Sequence, residues 1–230
     1  MDYFLDTEFI EDGKTIDLIS IGIVCGDGKT FYAINEECDF SKASDWVLEN
    51  VLAPMGIDRS GFSVNPFNQS VSSKYRKSFS ISQSKKEIAK SVAQFLDCVG
   101  ETTPVTLTGW QLWLAKIQTK SPIWLIKLMQ SSFIFGVYIE QKTTYKLFGE
   151  KPEFWAYYAD YDWVVFCQLF GTMMDLPDGF PMYCRDIKQL CDELGNPDLP
   201  TQGKGEHNAL ADALWNKSTY EFLRELKVEN

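Results

Sequence analysis

The sequence predicts an α/β protein in which helices flank a mixed β-sheet, with one inserted segment. Three observations lead there. Short runs rich in Ile and Val, separated by turn signals, fill the amino-terminal part. Helical spacing of apolar residues governs much of the rest, interrupted by one further strand. A long stretch between these parts fits neither period.

Tyr3-Phe4-Leu5 opens a first strand, and Thr15 to Cys25 reads as a second. Gly26-Asp27-Gly28 is a turn signal, so Thr30 to Ile34 makes a hairpin with the strand before it. Ser44 to Leu52 reads as a helix with Ser44 or Asp45 near its N-cap. Ile57 to Ser84 is rich in Ser and Asn and has no clear period, so it is expected to be a long loop. Ile88, Val92, Phe95, Leu96 and Val99 recur at helical spacing and predict a helix from Lys85 to Val99. Phe154 to Tyr158 reads as a buried strand that passes into a helix through Trp163 to Phe170. Two more helices follow, Arg185 to Leu194 and Ala209 to Leu226. No repeat of fixed period is visible. Residues 101–150 hold Trp110, Trp113, Trp124, Phe133, Phe135 and Tyr138, and are expected to be an insertion within a single domain of residues 1–230.

Composition narrows the function. An apolar fraction of 45% with 23% charged residues is ordinary for a globular protein. A net charge of −10 argues against binding nucleic acid by phosphate neutralisation alone. The basic residues are segregated, however. Arg59, Lys74, Arg76, Lys77, Lys85 and Lys86 follow one another with no acidic residue between them, and Lys116, Lys120, Lys127, Lys142 and Lys146 meet only Glu140. Two such runs suit a phosphate-facing groove, although a charge run can equally be a solvated surface. The six cysteines show no C-x-x-C spacing, which predicts reduced, mostly buried thiols in a cytoplasmic protein. The first residues lack the basic start and apolar stretch of a secretion signal. Lys127, Gln130, Ser131 and Ser132 interrupt the apolar run from Ile123 to Ile139, so no membrane span is expected.

The chemistry resides in a few carboxylates and His207, the only histidine. Residues two apart on a strand share a face, so Asp6 and Glu8 project together, and divalent cations relieve the repulsion between them. Asp162 lies just inside a helix that starts where a strand ends, while Asp160 suits an N-cap. His207 follows a glycine-containing loop. Asp212, five residues on, lies about 140° away around an ideal helix. The histidine is therefore expected on the loop and the aspartate inside the first turns, converging from two directions.

Asp6-Thr7-Glu8-Phe9-Ile10, Ile16-Asp17-Leu18-Ile19-Ser20-Ile21-Gly22, Tyr161-Asp162 with Cys167-Gln168-Leu169, and His207-x4-Asp212 together resemble the DEDDh family of 3′→5′ exonucleases. They resemble most the small RNase T-like 3′-exoribonucleases of bacteria and phages. The resemblance covers roughly residues 1–55, 85–100 and 150–225. It implies an RNase H-like fold and a chain that hydrolyses the 3′ end of single-stranded RNA, or a 3′ overhang, to 5′-mononucleotides. It further implies that Asp6, Glu8, Asp162 and Asp212 hold two Mg²⁺ or Mn²⁺ ions, that His207 is the general base, and that the protein is a homodimer. Phe9 and Thr7 are expected to meet the terminal nucleotide, and Lys74, Arg76 and Lys77 to guide the strand. Where many relatives carry asparagine four residues before the third acidic ligand, this chain has Tyr158. A deoxyribonuclease of the same fold and a catalytically silent RNA-binding module are the competing readings.

Overall fold

A computed structural model describes residues 1–62, 81–103, 142–203 and 205–229. Its central sheet is mixed and has six strands, in the order β10-β9-β1-β2-β3-β6. β1 (Asp2–Glu11) and β2 (Ile16–Cys25) form an antiparallel hairpin, and β3 (Thr30–Asn35) pairs antiparallel with β2. Three parallel neighbours complete it: β6 (Ser82–Gln83) on β3, β9 (Glu153–Ala156) on β1, and β10 (Arg185–Asp186) on β9. With helices on both faces, this is the mixed α/β architecture expected, consistent with an RNase H-like fold.

Alternation along β1 sorts its side chains between two layers. Tyr3 packs toward Phe95 of the helix α2 (Lys85–Phe95) and Phe154 of β9, whose ring meets Trp163 and Phe166 of the helix α3 (Asp160–Phe170). Phe4 lies in the opposite layer with Val24, Leu210, Tyr220 and Leu223, under α4 (Ile187–Glu193) and the long α5 (Ala209–Glu229). Each fully buried Phe or Leu here contributes roughly 1.5–3 kcal/mol. Asn216 of α5 is buried and donates its side-chain amide to Leu5 O at 3.0 Å, fastening the helix to β1.

α5 comes unusually close to the sheet. Asp6 stands opposite Gly22, which stands opposite Tyr32. A Cβ at Gly22 would lie 2.2 Å from Ala209 O and 2.5 Å from Leu210 Cα, so only glycine admits the first turn of the helix. Glycine inside an apolar strand run marks such backbone approaches. Three residues from Gly22, β2 bulges. Glu8 pairs with Ser20 but Phe9 with Leu18, which leaves the fully buried Ile19 as the extra residue.

Several boundaries differ from expectation for identifiable reasons. The helix expected from Ser44 to Leu52 runs over residues 45–55, designated α1, and includes a π-helical stretch, Leu48–Leu52. Ser44 caps it as expected, and the left-handed Gly56 ends it. The helix from Lys85 stops at Phe95, short of Val99, because Asp97 is left-handed and β7 (Cys98–Thr103) follows. β9 ends at Ala156, before Tyr158. Arg185 and Asp186 are strand, with Asp186 capping α4. The loop expected from Ile57 contains a small hairpin, β4 (Ile57–Asp58) with β5 (Gly61–Phe62), and delivers β6 to the main sheet.

The chain divides into two compact units, residues 1–99 with 146–230, and residues 100–145. The described part of the second belongs to β7 and β8 (Lys142–Leu147), which pair as a two-stranded sheet. No described helix is long and apolar enough to cross a membrane. All six cysteines are free thiols; five are buried and Cys184 is half-buried.

Gly22→Ala should destabilise the protein by about 1–3 kcal/mol or more, the usual cost of overpacking. That lowers the melting temperature by at least several degrees, whereas Gly203→Ala, with nothing within 4 Å of its added Cβ, should melt like the parent. Thermal unfolding of both variants, followed by circular dichroism, makes the comparison. Equal melting would remove the close approach as a constraint.

Candidate active site

The site forms where β1 meets the first turns of α5. Asp6 and Glu8 leave β1 on the face that α5 covers, and Asp212 comes down from the helix, its amide donating to Asn208 O at 2.9 Å. Each of the three carboxylates offers an oxygen, and these oxygens lie within 4.8 Å of one another. His207 precedes the helix on a turn, as the spacing predicted, with φ of 64° in the left-handed region. The edge of its ring meets the Trp46 indole at 4.8 Å between centroids and 76° between planes.

Asp162 arrives from the other side of β1, on the third residue of α3. It is 6% exposed. β9 pairs with β1 only as far as Phe4 opposite Trp155, so the Thr7 amide points beyond the end of its neighbour. Asp162 Oδ1 takes that place, accepting from Thr7 N at 2.8 Å and Thr7 Oγ1 at 2.6 Å. Thr7, expected at the substrate, is 5% exposed and spends its hydroxyl on this bond. Asp160 is not the cap expected of it: the N-cap is Ala159, with no side-chain cap bond, and Asp160 occupies the first turn.

Crowding shows in the acidities. Burial, then the charges of Asp162, Glu8 and Asp212, hold Asp6 well above the carboxylate range. Burial raises Glu8 to about 8, with Asp212 and Asp162 adding to it. Burial also lifts Asp162 and Asp212 to about 6; the Thr7 hydrogen bonds oppose the first shift, and the neighbouring His207 the second. Among the described residues no lysine or arginine forms an ion pair with any of the four. Clustered hard oxygen donors without a neutralising side chain are the donor set that suits Mg²⁺ or Mn²⁺.

Around this centre, Phe9 stacks on Tyr161 at 5.6 Å and 27°. Tyr158 is exposed, left-handed at φ 57°, and donates its amide to Asp186 Oδ1 at 3.2 Å. Asparagine adopts that conformation readily. The Gln202 side-chain amide donates to Asp212 Oδ1. Sequence reasoning missed Gln202 and the 55% exposed Trp46, which carried no signal, and Gly22, which carried one as a glycine within an apolar strand run. Lys74, Arg76 and Lys77 lie outside the described residues. Of their basic run, Arg59 pairs with Asp45 and Lys85 with Asp17, each at 2.6 Å.

Comparison with known proteins covers nearly the whole chain. The family model described as the 3′-5′ exoribonuclease Rv2179c-like domain matches residues 1–223. Two relatives from Mycobacterium tuberculosis strains, 3′-5′ exoribonuclease Rv2179c and 3′-5′ exoribonuclease MT2234.1, are each 30% identical over 213 residues, covering 93% of this chain and 87% of the relative.

The raised carboxyls set a sign for pH dependence. At low pH folded and unfolded states are both protonated; as pH rises the unfolded chain ionises first, and stability falls until the folded pKa values are passed. The metal-free protein should therefore melt at progressively lower temperature from about pH 5 to about pH 8. Glu8→Gln should flatten that slope, and Mg²⁺ or Mn²⁺ should raise the melting temperature most at the alkaline end. Calorimetry with and without metal measures both; a metal-free slope that Glu8→Gln leaves unchanged would refute the crowding.

Proposed function

The chain belongs to the 3′-5′ exoribonuclease Rv2179c-like domain family and is an enzyme of that class; on this premise we propose a metal-dependent hydrolysis with His207 as general base. It releases 5′-mononucleotides one at a time from a single-stranded RNA 3′ end or overhang. The observation that carries the reading is the meeting of Asp6, Glu8 and Asp212 within 4.8 Å, beside a loop-borne His207.

Asp6, Glu8 and Asp212, with Asp162 behind them, would hold two Mg²⁺ or Mn²⁺ ions. When bound, such ions neutralise the phosphate and lower the pKa of an attacking water. Thr7 orients Asp162 through two hydrogen bonds to Oδ1. His207 accepts the proton of the water whose oxygen attacks phosphorus. The P–O3′ bond breaks with its electron pair on O3′, which takes a proton from solvent to leave a 3′-hydroxyl on the shortened strand, and the phosphate departs with the terminal nucleotide. Phe9, braced by Tyr161, offers a face on which a terminal base stacks. On this reading residues 1–230 form one exonuclease domain with 101–150 inserted in it, working in the cytoplasm.

Labelled RNA with a free 3′ end should shorten from that end in Mg²⁺ or Mn²⁺. It should be inert in excess chelator, and a circular RNA should survive; DNA of equal sequence tests the choice of sugar. His207→Ala should lower turnover by about 10²–10⁴-fold while metal still raises the melting temperature. Near-parental turnover would take the general base away from His207.

Asp162→Asn should abolish activity, and Asp160→Asn should leave it near the parent value. The two rates, measured side by side on one RNA, separate the residues. The opposite ranking would move the third acidic ligand two residues upstream.

A further inference from the structure

We infer that Tyr32 is a positioning residue for hydrolysis, setting the His207–Asn208 turn through a hydrogen bond between its hydroxyl and the Asn208 side-chain amide. The inference rests on the reading of His207 as general base.

Tyr32 stands on β3 opposite Gly22, which is itself opposite Asp6, so its side chain rises from the sheet on the face that carries the carboxylates. Its ring packs against the core under α5, and its hydroxyl receives Asn208 Nδ2 at 3.5 Å. Asn208 also bonds within the helix start. Its Oδ1 accepts from Ala211 N at 3.2 Å and its backbone oxygen from Asp212 N at 2.9 Å. One side chain thus caps the helix that carries Asp212 and reaches across to the sheet, and Tyr32 fixes which end of the amide does which.

His207, the preceding residue, needs that support. A left-handed backbone at a non-glycine residue is strained and persists only where the surroundings over-determine it. Trp46 holds the ring of His207 by an edge contact, and the Asn208 cap holds its chain. The hydroxyl of Tyr32 keeps its proton throughout the working range, since burial, reinforced by the charge of Glu8, pushes it up to about 12. It is therefore a constant neutral partner.

Tyr32→Phe keeps the packed ring and removes only the hydroxyl. Steady-state hydrolysis of a short labelled RNA should show kcat about five- to tenfold lower, as expected for one hydrogen bond, with KM unchanged and the melting temperature within a few degrees of the parent. Asn208→Ser keeps an N-cap oxygen but cannot span to Tyr32. It should show the same loss, and the double variant should lose no more than either. In a His207→Ala background, Tyr32→Phe should change nothing further. An equal loss in both backgrounds, or a parental rate for Tyr32→Phe, would overturn the inference and leave the general base standing. Near-parental turnover of His207→Ala itself would remove the base and the inference with it.

Discussion

The contact on which the rest of the structure depends is the seating of α5 directly on the backbone of β2 at Gly22. Helices normally stand off a sheet by the thickness of two side chains. Here, at Gly22, no side chain of the strand stands between them. The helix start therefore falls level with Asp6, the residue opposite Gly22, and Asp212 and His207 are carried to the carboxylates of β1. Asn216, further along α5, repeats the fastening with its bond to Leu5 O. Helix and strand are held at two points, and the site lies between the first of these and the turn that precedes it.

This arrangement sets stability against chemistry. Four carboxylates are gathered in one place, and their pKa values are raised first by burial and, for Asp6 and Glu8, also by the neighbouring negative charges. The fold tolerates it because the apolar layers on either side of β1 are extensive and two of the acids are anchored by hydrogen bonds. Asp162 has Thr7, and Asp212 has Gln202. On the proposed reading a divalent cation would relieve this cost, and its binding would be coupled to folding through the same four side chains.

Much of this was legible in the residues alone. Alternation placed Asp6 and Glu8 on one face, and the angle between positions 207 and 212 placed His207 on the loop and Asp212 in the helix, as the structure has them. What local patterns lacked was information held by distant partners. The side chain of Asp162 is set by where β9 stops, which depends on sheet pairing and not on the residues around position 162. Val99 continues the helical period of 88–96, but Asp97 turns the chain left-handed and Val99 is exposed on a strand. Asp160 looked like a cap because the strand before it was read two residues too long; once β9 ends at Ala156, the cap position falls on Ala159.

The bulge at Ile19 has a consequence for how such a chain changes over generations. Upstream of it, the pairing of β1 with β2 is locked, because sliding by one residue would bring a side chain under Ala209 in place of Gly22. Downstream of it, the ladder has already shifted by one, and the connection around Gly13 is closed by the local turn at Asp12, whose carboxylate receives the amides of Lys14 and Thr15. Insertions and deletions at the tip of this hairpin can therefore be absorbed between Phe9 and Leu18 without reaching Glu8. The hairpin is free to drift in length, while its other end stays bound to a fixed count of residues.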